Sequence, residues 1–427
     1  MREPKKIRFI LNEILEKITP EKEDLEFMKN YVKDFKSQTE VKIRKLKIDA
    51  EIFVGGSFSK ETVMKKDVYD ADIFIRFDKK HSKEFSKLMK RIFIGTKNLE
   101  LIHGSRDYFR VKVKDNFFLE LVPVLKVKTP KEAENITDLS YLHVKYLNKK
   151  IKSKKILDEI KLAKAFCYAN GTYGAESYIN GFSGYALELL TIYYGGLFNL
   201  IKNLDKENKE KIIVDMEKLY KNKPQVLMDL NASKLESPVI LIDPTYKQRN
   251  ALAALSDETF DKFKKSCKKF LKNPSVKSFE IEKIDLKKVK LGANKKGYEF
   301  IEMKISTNKQ VGDIAGSKLL KFYNHLSEEI GKYFIIKNKG FGYGKGKCAK
   351  CFFVVKAKKE IILNGPFVDD VKNVKKFEKE QRDMFVKGKK IYSREKVNFS
   401  LKEFLVSWKV KNKKKIKSMY VNGFDII

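Results

Sequence analysis

Two aspartates, Asp70 and Asp72, stand two residues apart in the apolar segment YDADIFIRF of residues 69–77. Side chains alternate between the two faces of a β-strand, so both carboxylates leave the same face. Charged groups within buried strand sequence are costly unless a metal ion or another partner compensates them. The pattern therefore predicts a pair of oxygen ligands for a divalent metal ion, rather than two solvated charges on a strand edge.

A glycine turn precedes the two aspartates. Gly55 and Gly56 follow the apolar residues 52–54 and carry no Cβ, so the backbone can approach a ligand closely there. Ser57 then opens a short helix, whose free N–H groups suit a phosphate. Lys60 follows one helical turn later and can reach the same phosphates. Glycine turns are common, but a glycine turn, a helix and paired acids in this order indicate metal-dependent handling of a nucleotide.

A third acid for a two-ion site is available in the segment FFLELVPVL of residues 117–125. This segment follows residues 108–114 through an Asp115-Asn116 turn, which predicts a β-hairpin. Glu120 lies in its middle between apolar residues, so an ordinary surface carboxylate is the weaker interpretation.

The elements that must position these residues indicate an α+β, multidomain chain of 427 residues. Residues 1–46 are predicted to be helical, with a new helix start at Thr19-Pro20, and a mixed sheet with helices follows up to about residue 150. The pattern is mostly helical to about residue 260, and strands and helices of an α/β type make up the remainder.

Composition restricts the class of partner. The net charge of +36 calls for a polyanion, with nucleic acid as the leading candidate and a membrane surface as the rival. The longest apolar run, residues 185–201, contains Glu188 and two glycines, so we expect a buried helix rather than a membrane span. The first residues lack the uninterrupted apolar core of a cleavable signal, and we expect a cytoplasmic protein.

The four cysteines do not indicate a disulfide framework or a metal site. Cys348 and Cys351 form a single C-x-x-C with no second pair nearby, and the nearest histidine, His325, belongs to an amphipathic helix. A structural zinc site needs four ligands, so zinc is not expected here.

Longer segments resemble known families. Residues 52–77 resemble the signature of the polymerase-β-like nucleotidyltransferases. NGTYGAESYINGFSGYALELLTIYYGGL, residues 170–197, is similar to the corresponding segment of the archaeal (class I) CCA-adding enzymes, which are tRNA nucleotidyltransferases. DPTYKQRNALAALS, ILNGPFVDD and GKKIYSREKV also resemble their counterparts there. The resemblance covers nearly the whole chain and is strongest over residues 52–256.

The resemblance implies a nucleotidyltransferase head at residues 1–150, a helical nucleotide-binding neck at 151–260, and a tRNA-binding body and tail at 261–427. It also implies template-independent addition of C, C and A to the tRNA 3′ end from CTP and ATP, with Mg²⁺ as the cofactor and pyrophosphate as the leaving group. Asp70, Asp72 and Glu120 match the catalytic, metal-binding carboxylates. The residues that match the nucleotide-binding positions are Gly56, Ser57, Lys60, His143, Lys164, Tyr173 and Arg249.

Two positions depart from the family pattern. Lys60 stands where the family usually has arginine, which keeps the charge and loses bidentate phosphate geometry. Glu120 stands where an aspartate is usual, so its carboxylate lies one methylene farther from the backbone. On the residues alone, the favoured interpretation of Lys164 is an exposed lysine, that of Tyr173 a core aromatic, and that of His143 a satisfied helix histidine.

Other functions stay open at this point. They include a poly(A)-type or other RNA-terminal nucleotidyltransferase, a non-catalytic RNA-binding protein with this fold, and a sensor that makes second messengers. A non-catalytic protein is expected to have lost an acid, and none of Asp70, Asp72 and Glu120 is missing. The oligomeric state is also open, with a homodimer among the options.

Overall fold

The computed structural model describes residues 4–104, 106–205, 211–282, 284–344 and 346–427. The chain divides into two compact units, Met1–Glu282 and Lys283–Ile427. Residues 1–3 of the predicted helical start lie outside the described residues. The finer division into head, neck, body and tail stays a prediction.

The first unit combines helices with a five-stranded sheet and a small three-stranded sheet. Its helices are α1 (Lys5–Ile18), α2 (Lys22–Lys45), α3 (Gly56–Ser59), α4 (Phe85–Ile92), α5 (Ser140–Lys150), α6 (Lys154–Ala169), α7 (Gly184–Tyr194), α8 (Leu197–Leu204), α9 (Lys223–Asp229), α10 (Ala232–Leu235) and α11 (Asp257–Lys272). Its strands are β1 (Ala50–Val54), β2 (Tyr69–Phe77), β3 (Leu99–Ile102), β4 (Tyr108–Lys114), β5 (Phe117–Leu125), β6 (Ile212–Val214), β7 (Val239–Asp243) and β8 (Tyr246–Asn250).

The predicted mixed sheet is confirmed, with strand order β1-β2-β5-β4-β3. β2 runs parallel to β5, and the other neighbouring strands are antiparallel. On β2, Ala71, Ile73 and Ile75 are completely buried, and the two aspartates occupy the alternate positions. The buried face shares one apolar core with α2 and α4. One face of the sheet is therefore covered by helices, and the other carries the acids.

The helical start of the chain is confirmed as two helices that break around Thr19-Pro20. Proline has no N–H and restricts the residue before it, which explains the break. α2 packs on the sheet, whereas α1 joins a second apolar core with α6, α7, α8 and α11. α7 is central to this second core, since Leu187, Leu189 and Leu190 are completely buried.

The second unit has a four-stranded sheet, β10-β11-β9-β15, and a three-stranded sheet, β12-β14-β13. Its helices are α12 (Leu286–Asn294), α13 (Asp313–Tyr333), α14 (Val371–Glu380), α15 (Leu401–Lys411) and α16 (Lys413–Ser418). Its strands are β9 (Glu299–Ser306), β10 (Phe334–Tyr343), β11 (Cys348–Ala357), β12 (Glu360–Phe367), β13 (Asp383–Lys387), β14 (Lys390–Lys396) and β15 (Gly423–Ile426). The α+β, multidomain fold class is confirmed.

Two further features bear on the predictions. Cys348 is exposed and Cys351 is buried, because residues three apart on strand β11 point to opposite faces. The pair therefore does not form one end of a metal site. Among the helices of the described residues, none is long and apolar enough to cross a membrane.

Candidate active site

The carboxylates of β2 and β5 form the first part of the site. The parallel register places Asp72 directly opposite Glu120, and Asp70 lies two residues earlier on the same face of β2. Burial raises the pKa of Asp72 to about 7, and the negative charges of Asp70 and Glu120 contribute to this rise against the opposing effect of lysines. A divalent cation would offset this repulsion, so the donor set fits a metal ion in its chemistry.

Glu120 also has a partner that the sequence did not predict. Arg110 of the neighbouring strand β4 pairs with it, with 3.0 Å between Nη2 and Oε1. In the described part of the chain, no group of three or more His, Cys, Asp and Glu side chains is arranged to hold a metal ion by itself. Asp70, Asp72 and Glu120 thus share one face of the sheet.

The glycine turn is tied directly to the strand that carries Asp72. The Gly55 N–H donates to the carbonyl of Asp72 at 2.8 Å, and the Thr62 N–H closes the turn on the carbonyl of Ser57 at 3.0 Å. Gly56 has a φ of +63°, and a Cβ added there would lie 1.7 Å from Oδ2 of Asp72. Only glycine leaves room for that carboxylate, which explains the second glycine of the turn.

Replacing Gly56 with alanine is expected to lower the rate of nucleotide transfer at least tenfold, because the new Cβ displaces the Asp72 carboxylate. The positive φ adds about 1–2 kcal/mol of instability. Gly95 is a matched control, since its φ is +76° and a Cβ there would meet nothing within 4 Å. Both variants should lose similar stability in thermal unfolding, and only Gly56→Ala should lose transfer. Equal activities in the two variants would refute this account of Gly56.

Two of the predicted phosphate-binding cations meet at one buried carboxylate. Lys60, just after α3, lies 2.6 Å from Oε2 of Glu188, and Lys164 of α6 lies 2.7 Å from Oε1 of the same residue. Lys164 also donates to the hydroxyl of Thr62 at 2.8 Å. The structure thus brings Lys60 and Lys164 together, although 104 positions separate them in the sequence.

Tyr173 lies near the same cluster. Its hydroxyl is close to Gly184 at the start of α7, where an added Cβ would lie 2.9 Å away. Burial raises the pKa of Tyr173, and the charges of Glu188 and Asp70 raise it further. The tyrosine therefore remains protonated and can donate a hydrogen bond.

A second cluster gathers the remaining two predicted residues around Asp243, at the end of β7. This completely buried carboxylate pairs with His143 Nε2 at 3.0 Å and with Arg249 Nη1 at 2.6 Å. It also accepts a hydrogen bond from the Tyr185 hydroxyl at 3.0 Å. Burial alone would raise the pKa of Asp243, but His143 and Arg249 hold it well below its ordinary value.

The imidazole of His143 is held on two sides. Its ring stacks on that of Tyr185 with 3.9 Å between the centroids. Burial lowers the pKa of His143, although Asp243 opposes this effect. The ring is therefore neutral near neutral pH, and its Nε2 carries the proton that Asp243 accepts. The charge of Lys60 also lowers the pKa of His143, so the two clusters act on each other electrostatically.

A cavity of about 440 Å³ opens beside the second cluster. Arg249 lines it together with Ser183, which caps α7, and with Asn135 and Tyr246. The cavity combines apolar walls with a few polar groups, the composition that is typical of small-molecule sites. It places the guanidinium of Arg249 beside a space of a size that suits a nucleobase.

Glu188 and Asp243 were both missed by the sequence analysis as site residues. The sequence marks each of them as a charge within an apolar segment. Apart from three tyrosines, Glu188 is the only ionisable residue of the apolar run 185–201. Asp243 is the last residue of the buried strand VILID. A buried acid without a visible partner implies a cation elsewhere in the chain. Tyr185 and Glu188, three residues apart on α7, connect the two clusters.

The fold is that of the polymerase-β-like nucleotidyltransferases. A cytoplasmic RNA terminal U-transferase superposes with a TM-score of 0.50 at 11% identity, covering 66% of this chain and all of that one. A poly(U) polymerase gives the same TM-score at 12% identity and covers 65% of this chain and 99% of that one. At such low identity the likeness concerns the fold alone.

Sequence relatives define the family. Residues 158–280 match the family described as tRNA nucleotidyltransferase, second domain. A CCA-adding enzyme of Nanoarchaeum equitans is 38% identical over 212 residues, which are 49% of this chain and 52% of that protein. The CCA-adding enzyme of Methanocaldococcus jannaschii is 29% identical over 400 residues, 91% of this chain and 87% of that protein. Over about nine tenths of its length the chain is thus similar to archaeal CCA-adding enzymes, a family of tRNA nucleotidyltransferases whose members generally depend on a divalent metal ion.

Proposed function

We propose that this chain adds C, C and A to the 3′ end of tRNA from CTP and ATP without a nucleic-acid template, and that Mg²⁺ is its metal ion. The observation that carries the proposal is the carboxylate face of β2 and β5 directly beside the glycine turn. In the reaction, the tRNA 3′-oxygen forms a bond to the α-phosphorus, and the bond from that phosphorus to the bridging oxygen breaks. Pyrophosphate leaves, and the hydroxyl proton passes to solvent.

Asp70, Asp72 and Glu120 would hold the metal ion. Mg²⁺ is usually bound through one or two carboxylates together with substrate phosphates, which suits a site whose side chains do not complete the coordination alone. When bound, Mg²⁺ lowers the pKa of the attacking hydroxyl and neutralises charge on the phosphates. The raised pKa of Asp72, which a cation would lower, supports this assignment.

The other predicted residues divide into two roles. Gly56 and Ser57 supply the turn that seats the triphosphate, and Lys60 and Lys164 supply positive charge beside it. Arg249 faces the cavity and would read the base of the incoming nucleotide, since its planar fork can pair two edges at once. His143 and Tyr173 would contact the nucleotide between these two regions, with Tyr173 as a hydrogen-bond donor.

The net charge of +36 supports tRNA as the polyanionic partner. Action on tRNA supports a cytoplasmic location for the protein. A homodimer stays a prediction, which sedimentation at several protein concentrations would test.

The first experiment is extension of a radiolabelled tRNA that lacks its terminal CCA, with CTP and ATP supplied singly and together in the presence of Mg²⁺. We expect CTP alone to add two residues, and the two nucleotides together to add three and stop. Long ladders from ATP alone would instead identify a poly(A)-type polymerase. Binding of tRNA without extension would identify a non-catalytic RNA-binding protein.

A further inference from the structure

Glu188 is a completely buried carboxylate shared by cations from two different parts of the fold. Each of its two oxygens lies within 2.7 Å of a lysine Nζ, one from Lys60 after the glycine turn and one from Lys164 of α6. The Thr62 hydroxyl, which accepts a hydrogen bond from Lys164, donates to Oε1 of Glu188 at 3.2 Å. Nothing in the proposed reaction uses Glu188 itself, yet it fixes both lysines that the reaction needs.

The charges in this cluster do not balance. One carboxylate faces two ammonium groups, so the cluster of Lys60, Lys164 and Glu188 has one unit of excess positive charge. A buried excess charge is costly unless a counter-ion compensates it. The positive charge of Lys60 also acts on Asp72, whose pKa it lowers, so the cluster borders the carboxylate face. The excess positive charge would therefore stabilise an anion bound between the glycine turn and the carboxylates.

We propose that Glu188 is a positioning residue for the triphosphate of the incoming nucleotide: it holds Lys60 and Lys164 together at the glycine turn. The inference rests on the proposed function, because the triphosphate is the anion that the turn would bind. Because one carboxylate pairs with both lysines, their side chains are already ordered before the substrate binds. Less conformational entropy is then lost on binding. α7 supplies the rigid support, since Leu187 and Leu189 on either side of Glu188 are completely buried.

The protonation of Lys164 gives the inference a measurable consequence. Burial lowers the pKa of Lys164 to about 8, Glu188 opposes this effect, and the charges of Lys60 and Lys66 add to it. Burial would raise the pKa of Glu188, but Lys164 and Lys60 hold it below its ordinary value. Loss of the Glu188 charge should therefore lower the pKa of Lys164 further, and Lys164 should then lose its proton near neutral pH.

The test is the dissociation constant of CTP with Mg²⁺, measured by equilibrium dialysis without tRNA as a function of pH. For the wild type, we expect the Kd to rise as the pH passes about 8, where Lys164 loses its proton. For Glu188→Gln, we expect the rise to begin about one pH unit lower, which makes binding about twofold weaker near pH 7 and about tenfold weaker at about pH 9. Titration of the nucleotide phosphates is common to all variants and cancels in the comparison.

Two further variants keep the test decisive. Glu217 accepts from the Tyr146 hydroxyl and lies 2.6 Å from Lys150, so Glu217→Gln removes a comparable carboxylate between a lysine and a hydroxyl in the same unit. This control should keep the wild-type pH profile. Lys164→Met should bind CTP weakly and lose the rise near pH 8, whether or not Glu188→Gln folds.

The inference is overturned if Glu188→Gln folds and keeps the wild-type Kd and pH profile, as a purely structural ion pair would allow. It is also overturned if the rise near pH 8 persists in Lys164→Met. Extension of tRNA, measured in parallel, separates the two proposals. A wild-type chain that binds CTP with the expected profile and fails to extend tRNA would contradict the proposed function and leave the role of Glu188 standing.

Discussion

Asp72→Asn is expected to abolish nucleotide transfer and to leave tRNA binding intact. An amide is neutral and is a much weaker ligand for a hard divalent cation than a carboxylate. Since such a cation supplies several kcal/mol of transition-state stabilisation, and each 1.4 kcal/mol corresponds to about tenfold in rate, the loss in kcat should be about 10³-fold or more. If tRNA binding depends on the many lysines spread over the chain, as the net charge of +36 suggests, it should not change. Single-turnover extension and a filter-binding assay measure the two properties separately.

The same substitution should raise stability in the absence of metal. The pKa of Asp72 rises from an ordinary value of 3.8 to about 7 in the folded chain. The folded state therefore holds a proton that the unfolded state has lost, so the wild type loses stability as the pH rises from about 4 to about 7. The loss is complete above that range. Thermal unfolding in EDTA should show Asp72→Asn more stable than the wild type at about pH 8, with the difference absent at about pH 4.

The control is Asp115→Asn, which removes an exposed carboxylate from the β4–β5 turn. It should keep full transfer activity and should not gain the stability expected for Asp72→Asn. Turnover retained by Asp72→Asn would refute the assignment of Asp72 to the metal. Identical unfolding of Asp72→Asn and the wild type across the pH range would show that burial and the neighbouring carboxylates do not raise the pKa of Asp72.

The sheet and its acids could be predicted because the information is local. The alternation of Asp70 and Asp72 with Ala71, Ile73 and Ile75 defines the two faces of β2 without knowledge of any other element. The Asp115-Asn116 turn then defines the β4–β5 hairpin in the same way. What local patterning could not show is which strand lies beside β2, since a parallel pair requires a connection that spans β3 and β4.

The carboxylate partners of Lys60, Lys164 and His143 could not be derived from the sequence, because these contacts join residues that are far apart in the chain. Lys60 and Glu188 are 128 positions apart, and His143 and Asp243 are 100 positions apart. A lysine in a chain with 92 lysines and arginines has no pattern that distinguishes it from a solvated one. Only the fold shows that Lys164 is buried and paired with Glu188, and this burial is what distinguishes it from the surface lysines.

Both clusters depend on one turn of α7, which explains why they occur together. Tyr185 and Glu188 lie three residues apart and therefore on the same face of the helix. Tyr185 donates to the carboxylate that holds Arg249, and Glu188 accepts from the lysines beside the glycine turn. A displacement of α7 would therefore move the proposed base-reading and phosphate-binding groups in concert.

Asp243→Asn is the second substitution with a large expected effect. Asp243 contacts His143, Tyr185 and Arg249 together, and its contact with Arg249 orients the guanidinium at 2.6 Å. Removing one partner of a buried ion pair typically costs about 3–5 kcal/mol, because the other charge is left without compensation. If Arg249 reads the base, kcat/KM for CTP should fall on the order of 10²-fold, and discrimination against UTP should weaken because the fork is no longer held.

The measurement is the ratio of kcat/KM for CTP and UTP at the first added position. Asp229→Asn is the matched control, since Asp229 also accepts a hydrogen bond from a tyrosine, the Tyr220 hydroxyl at 2.7 Å, and lies outside the cluster around Asp243. Arg249→Lys keeps the positive charge beside Asp243 and loses the planar fork, so it should share the loss of discrimination while preserving more of the fold stability. A wild-type CTP-to-UTP ratio in a folded Asp243→Asn protein would mean that base selection does not depend on how Arg249 is held. The discrimination would then have to reside in the RNA end and the cavity walls.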